Sequence, residues 1–189
     1  QTTVDISVTA LEEITISGTV VDEQNNAYAE ATVEYTGYGN GSVITNEKGE
    51  YSFKAYKGKE YTIVARAKED KYTQPSVTVT SSEASYVCSP LAFAVKTFTI
   101  TTSGAEDESK GTITQTATVD YGTDFTVEAT AKQGYQIQKI VLNGTDIIQD
   151  AGTKNWSQKL ENIQSNQAVQ VVFTEIKYTL SYNIGANGE

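Results

Sequence analysis

Carboxylates are the only side chains in this 189-residue chain suited to acid–base chemistry near neutral pH, because histidine is absent. Lysine and tyrosine would each need a large pKa shift for that role. Cys88 is the single cysteine. There is thus no Ser-His-Asp or Cys-His nucleophile system, no His-ligated metal site and no internal disulfide. Glycoside hydrolysis would need two carboxyl groups about 5–10 Å apart across a cleft. Glu47 and Glu50 flank a turn, and Glu106, Asp107 and Glu108 share a loop. Both sets read as solvated loop charges. That loop could offer oxygens to Ca²⁺, which takes about six to eight, but it lacks the alternate spacing of a dedicated calcium loop. The expectation is no catalytic residue, no metal and no cofactor.

Aromatic residues offer a second kind of chemistry, since flat rings stack on sugars. The chain has 12 tyrosines and one tryptophan. Most fall on alternating positions, where core packing accounts for them. Tyr38 differs, lying in the glycine-rich loop Gly37-Tyr38-Gly39-Asn40-Gly41, where a large ring has little to pack against. It is the leading candidate for a ligand contact. Trp156 follows, although its alternation with Gln158 and Leu160 favours burial. Cys88 reads as a small buried hydrophobe in a late strand. A Lys–Asn isopeptide crosslink would need a core-facing lysine. The strand from Ile14 to Val21 has none, and Lys139 shares its strand with Gln136 and Gln138, mostly on the wet face. Asn40, Asn143 and Asn155 open N-x-S/T sequons.

The elements that must hold these residues are strands. Thr 27, Val 17, Ile 14, Tyr 12 and Phe 5 outweigh Leu 5 and Met 0, a composition suited to pleated, half-buried surfaces. Period-2 alternation recurs between turn residues. It runs through Ile14–Val20, Ala31–Tyr35, Val43–Thr45, Glu50–Lys57, Glu60–Lys68, Ser76–Thr80 and Tyr86–Val95. A second series follows at Phe98–Thr101, Thr112–Thr114, Asp124–Thr130, Gln136–Leu142, Asp146–Ile148, Trp156–Leu160 and Val169–Phe173. Asn143-Gly144 is a type I′ hairpin signal, and Ile137 and Ile140 should point inward. No segment sustains a helical period. The fold class is all-β, as two consecutive small antiparallel β-sandwich-like domains.

Net charge is −10, with −5 up to Lys96 and −5 beyond it. No basic face exists to displace counterions from nucleic acid or to seek anionic lipid. No apolar run is long enough to span a membrane. Gln1 stands where an initiator Met would, which suits a mature or excised fragment.

Three segments carry a resemblance: Ile16-Ser17-Gly18-Thr19-Val20-Val21-Asp22, Ala29-Glu30-Ala31-Thr32-Val33, and Thr45-Asn46-Glu47-Lys48-Gly49-Glu50-Tyr51-Ser52-Phe53. With Tyr61-Thr62-Ile63 they make the stretch from Ile14 to Ala94 resemble the carboxypeptidase regulatory-like family. That resemblance implies a transthyretin-like, seven-stranded sandwich, usually a non-catalytic module of bacterial surface and secreted proteins. Asn25-Asn26-Ala27-Tyr28 departs from the family's usual Gly then Pro, but Asn still permits a turn. Tyr51, Phe53, Tyr61 and Tyr135 fall at family core positions.

The second half resembles divergent InlB-type bacterial repeats. Its matching residues are Phe98-Thr99-Ile100, Val119-Asp120-Tyr121-Gly122, Phe125-Thr126-Val127, Gly134-Tyr135, Ile140-Val141-Leu142-Asn143-Gly144, and Leu160-Glu161-Asn162-Ile163 before Val169–Phe173. This implies a spacer or adhesion element from an array. Tyr178-Thr179-Leu180-Ser181 echoes Phe98-Thr99-Ile100-Thr101, as a further repeat would. The organisation expected is 1–95 as the regulatory-like sandwich, 96–177 as the InlB-type repeat and 178–189 as the start of another. Thr3–Thr9 alternates too, as an edge strand of the first domain or of a neighbour.

The function these readings favour is a non-catalytic spacer or adhesion module of a large bacterial extracellular or cell-surface protein. Its partners would be neighbouring domains of the same protein and a glycan or host-surface ligand. The alternative is a carbohydrate-binding accessory module of a secreted polysaccharide-degrading enzyme, using Tyr38 and Trp156.

Overall fold

A computed structural model describes residues 10–148 and 152–181. The expectation for Thr3–Thr9 lies outside the described residues. The chain forms two compact units, Gln1–Lys96 and Thr97–Glu189. Every regular element described is a strand, so the protein is all-β. No helix among the described residues is long and apolar enough to cross a membrane.

The first unit holds β1 (Glu13–Val21), β2 (Thr32–Gly37), β3 (Gly41–Ile44), β4 (Glu50–Tyr56), β5 (Glu60–Arg66), β6 (Ser76–Thr80), β7 (Ser85–Val87) and β8 (Leu91–Ala92). One sheet has the order β4-β1-β7, with β8 also on β1, and the other runs β3-β2-β5-β6. Alternation in the sequence becomes two-faced burial. Ile14, Ile16 and Val20 of β1 meet Tyr51, Phe53 and Ala55 of β4 and Tyr61, Ile63 and Ala65 of β5 in a single core. Residues between them face outward, as a period-2 strand requires. Each fully buried side chain such as Ile16 or Ile63 contributes about 1.5–3 kcal/mol.

The second unit holds β9 (Thr97–Ser103), β10 (Gly111–Ile113), β11 (Ala117–Asp120), β12 (Phe125–Ala131), β13 (Tyr135–Leu142), β14 (Thr145–Ile148), β15 (Asn155–Leu160) and β16 (Gln167–Glu175). Its sheets run β11-β9-β16-β13-β14 and β10-β12-β15. Ile100, Val127, Ile137, Ile140, Val169 and Val171 form the core between them. Ile137 and Ile140 are both fully buried although three apart. The register shift between Ile137 and Lys139 absorbs the extra residue as a bulge.

Most pairs are antiparallel, but three are not. β1 pairs in parallel with β7 and with β8, and β9 pairs in parallel with β16. The long strand expected over Tyr86–Val95 is broken into β7 and β8. Pro90 has no N–H for the ladder; the Cys88 N–H still donates to the Ser17 carbonyl of β1 at 2.7 Å, and the chain leaves β1 at Ser89-Pro90 before rejoining it at Leu91. Residues 176–181, where the echo of the β9 motif lies, form no strand, and Tyr178 and Leu180 are exposed.

Candidate functional site

Tyr38 sits on the β2–β3 loop, where its backbone N–H donates to the Glu60 carbonyl at 3.3 Å. Its side chain is 52% exposed, as its loop position suggested. It is not alone. Tyr56, at the end of β4 and 38% exposed, meets Tyr38 ring to ring at 5.6 Å and 83°. The Lys59 ammonium lies 4.8 Å from the Tyr38 ring centroid, a cation–π distance. The turn carrying Tyr56 and Lys59 is fixed by the Lys59 N–H to the Tyr56 carbonyl (3.2 Å) and by the Tyr56 N–H to Tyr61 Oη (3.2 Å). Sequence reading had not singled out Tyr56 or Lys59. A signal was available: with Tyr51, Phe53 and Ala55 inward, alternation turns Tyr56 outward, beside the turn Lys57-Gly58-Lys59.

Trp156 stands in the other unit, on the edge strand β15, opposite Ala129 of β12. Its ring is half-buried against the second core. It borders a shallow hollow of about 350 Å³ shared with Glu128, Thr130, Asn155 and Ser157. Tyr38 thus belongs to the first unit and Trp156 to the second.

A larger open groove, about 790 Å³, runs between Ile44 and Val87 in the first unit. Its lining is mixed: Ile44 and Val87 are 59% and 74% exposed, while Asn46, Glu50 and Ser52 add polar groups. Gly18, Tyr51 and Cys88 also line it. The Tyr51 ring crosses Gly18 so closely that a β-carbon there would sit 2.6 Å from Tyr51 Oη. That hydroxyl is buried and has no partner of good hydrogen-bond geometry, the facing polar group being the Cys88 thiol. Burial pushes the phenol's pKa well above its ordinary value and raises the Cys88 thiol as well. A buried thiol held protonated is a poor nucleophile, in keeping with its reading as a small core residue.

The carboxylates are arranged for turns. Asn46 ties its turn by accepting the Lys48 and Glu50 N–H groups at 2.9 Å each and donating to Glu50 Oε2. Glu106 accepts the Gly104 N–H at 2.9 Å. Asp107 accepts from the Ser109 hydroxyl (2.6 Å) and pairs with Lys110 at 3.3 Å. Backbone donation lowers the pKa of Glu106, and the Ser109 hydroxyl lowers that of Asp107. A general acid needs the opposite shift. Among the described residues no group of three His, Cys, Asp or Glu side chains is placed to hold a metal ion. Lys139 is ion-paired with Asp146 at 2.7 Å on the surface, not buried beside an asparagine.

A polar cluster gathers around Tyr28, whose carbonyl accepts from the Thr45 hydroxyl at 2.8 Å. The Tyr28 hydroxyl donates to Glu69, and its ring packs edge-on against Tyr72 and Phe93. Burial, then the bond to Glu69, pushes the Tyr28 pKa up to about 12. Glu69 is correspondingly lowered, chiefly by that same bond. This arrangement ties the segment between β1 and β2 to the segment between β5 and β6.

No curated protein matches the chain in sequence. Among solved structures it is similar to a DUF3823 family protein from Parabacteroides merdae, at 15% identity over 87% of this chain and 82% of that one, with a TM-score of 0.36. A shaft pilin of Lactobacillus rhamnosus GG is similar at 10% identity over 84% and 98%, with a TM-score of 0.38. The catechol 1,2-dioxygenase of an Acinetobacter species is similar at 11% identity and a TM-score of 0.37, covering 48% of this chain. The chain spans only 55% of that dioxygenase's length. All three likenesses are distant. Residues 15–89, from within β1 to just past β7, match the model of the carboxypeptidase regulatory-like domain.

Proposed function

We propose that this chain is a pair of non-catalytic spacer or adhesion modules from a large extracellular or cell-surface bacterial protein, working beside neighbouring domains of that protein. In this reading the second unit, over 96–177, is an InlB-type repeat, and the residues from 178 onward begin another. The observation that carries the reading is strand order. In each unit the first described strand runs parallel to the last or nearly last: β1 beside β7 and β8, and β9 beside β16. Tension on a module's two ends would draw such neighbours in opposite directions along their length. The bonds between them lie across that direction, so they would be loaded together rather than peeled one by one.

Glu106 and Asp107 support the same reading, since their hydrogen-bond partners within one loop lower both pKa values and favour the charged form. Stretching single molecules between handles at the two ends tests it. Two separate, mechanically resistant unfolding events are expected, one per unit. A single weak event would overturn the spacer role.

A further inference from the structure

We propose that the corner formed by Tyr38, Tyr56 and Lys59 binds a pyranose bearing a carboxylate, the shared chemistry of uronic and sialic acids. Exposed aromatic rings are scattered singly over most soluble proteins, but here two tyrosines from different turns meet at 83° with both rings open to solvent. Neither ring is needed to fill the first core, which Tyr51, Phe53 and Tyr61 already occupy. Lys59 sharpens the choice of ligand. Lys54, Lys57, Arg66, Lys68 and Lys96 of the same unit each pair with a carboxylate. Lys59, like Lys48 and Lys71, makes no ion pair among the described residues; it rests against Tyr38 as Lys71 rests against Tyr72, but the Tyr38 ring is the exposed one.

A cation on an exposed ring is weakly held, so an incoming carboxylate can recruit it while the sugar's C–H face packs on the rings. On a chain of net charge −10 an acidic polymer would be repelled at long range. The site therefore suits a short acidic sugar read at close quarters, not a polyanion. The backbone bonds that fix both turns mean little ordering is required on binding. The inference is independent of the spacer role, which stretching tests and sugar titration does not.

Titration of ¹⁵N-labelled protein with trigalacturonate and, separately, with 3′-sialyllactose tests it, with galactotriose and lactose as neutral controls. Saturable shifts confined to residues 37–41 and 56–60 are expected with one or both acidic probes, and which of them binds separates the two sources. Tyr38→Ala should weaken binding at least about tenfold, and Lys59→Gln about fivefold with loss of its salt dependence. Tyr38→Phe should retain binding. Both positions lie outside the core, so the variants fold, as unchanged shifts elsewhere would verify. Absence of saturable shifts with both acidic probes, equal binding of the neutral sugars, or no effect of Lys59→Gln would overturn the proposal.

Discussion

Gly18 lacks a side chain because Tyr51 fills the space one would need. The two are directly paired across β1 and β4, and the ring lies over the glycine. Gly18→Ala should therefore cost about 1–3 kcal/mol through overpacking, read as a shift in the urea midpoint of the first unit. The Tyr51 hydroxyl is a different matter. Being buried and unpartnered, it contributes no bond to offset its desolvation. Tyr51→Phe should leave the midpoint unchanged or raise it, and clear destabilisation would mean that the Cys88 thiol is a real partner. Neither effect was legible in the sequence. Alternation marked Tyr51 as inward, but only the register opposite Gly18 reveals what the ring covers. Tyr38 was legible for the converse reason: a ring among glycines has no neighbours in its own strand to pack on.

Strands were read from the sequence more surely than their partners were. Local alternation reports which face is buried, and that is why Glu50–Tyr56, Glu60–Arg66 and Ser76–Thr80 emerged close to their observed bounds. Pairing is set by non-local contacts, so the parallel β1–β8 and β9–β16 neighbours left no local trace. The hairpin between β13 and β14 is the exception, because turn chemistry is local. Asn143 and Gly144 have φ of 49° and 80°, the left-handed pair a type I′ turn requires. Asn143 also anchors the turn, donating from Nδ2 to Gln167 Oε1 at 2.6 Å and accepting the Ala168 N–H at 2.8 Å. A β-carbon at Gly144 would meet nothing within 4 Å, so the cost of Gly144→Ala is conformational, about 1 kcal/mol. Asn143→Ala loses both anchoring bonds and should cost more, about 1–3 kcal/mol. Urea titration of the two variants, followed at Trp156, gives the order, and the reverse order would remove the anchoring role.

At the scale of the whole molecule, each unit has its own apolar cluster, one around Ile16 and Ile63 and the other around Ile137 and Val169. Truncating Ile16 or Ile137 to Ala should cost about 2–5 kcal/mol in the unit that contains it. Alkali offers a way to address one unit without mutation. Tyr28, Tyr51, Tyr72 and Cys88, all in the first unit, have raised pKa values, each chiefly through burial. For each the folded state holds its proton more tightly than the unfolded chain does. The stability this represents is complete below the unfolded value near 10 for tyrosine and is lost as pH rises through the folded value, about 12 for Tyr28. The first unit should therefore weaken steeply above pH 10, and Tyr28→Phe should flatten that decline while leaving the neutral-pH midpoint less affected. Thermal melts between pH 9 and 12, with Trp156 reporting the second unit and near-ultraviolet tyrosine dichroism dominated by the first, distinguish the two. A decline unchanged by Tyr28→Phe would show that ionisation of Tyr28 does not set the alkaline limit.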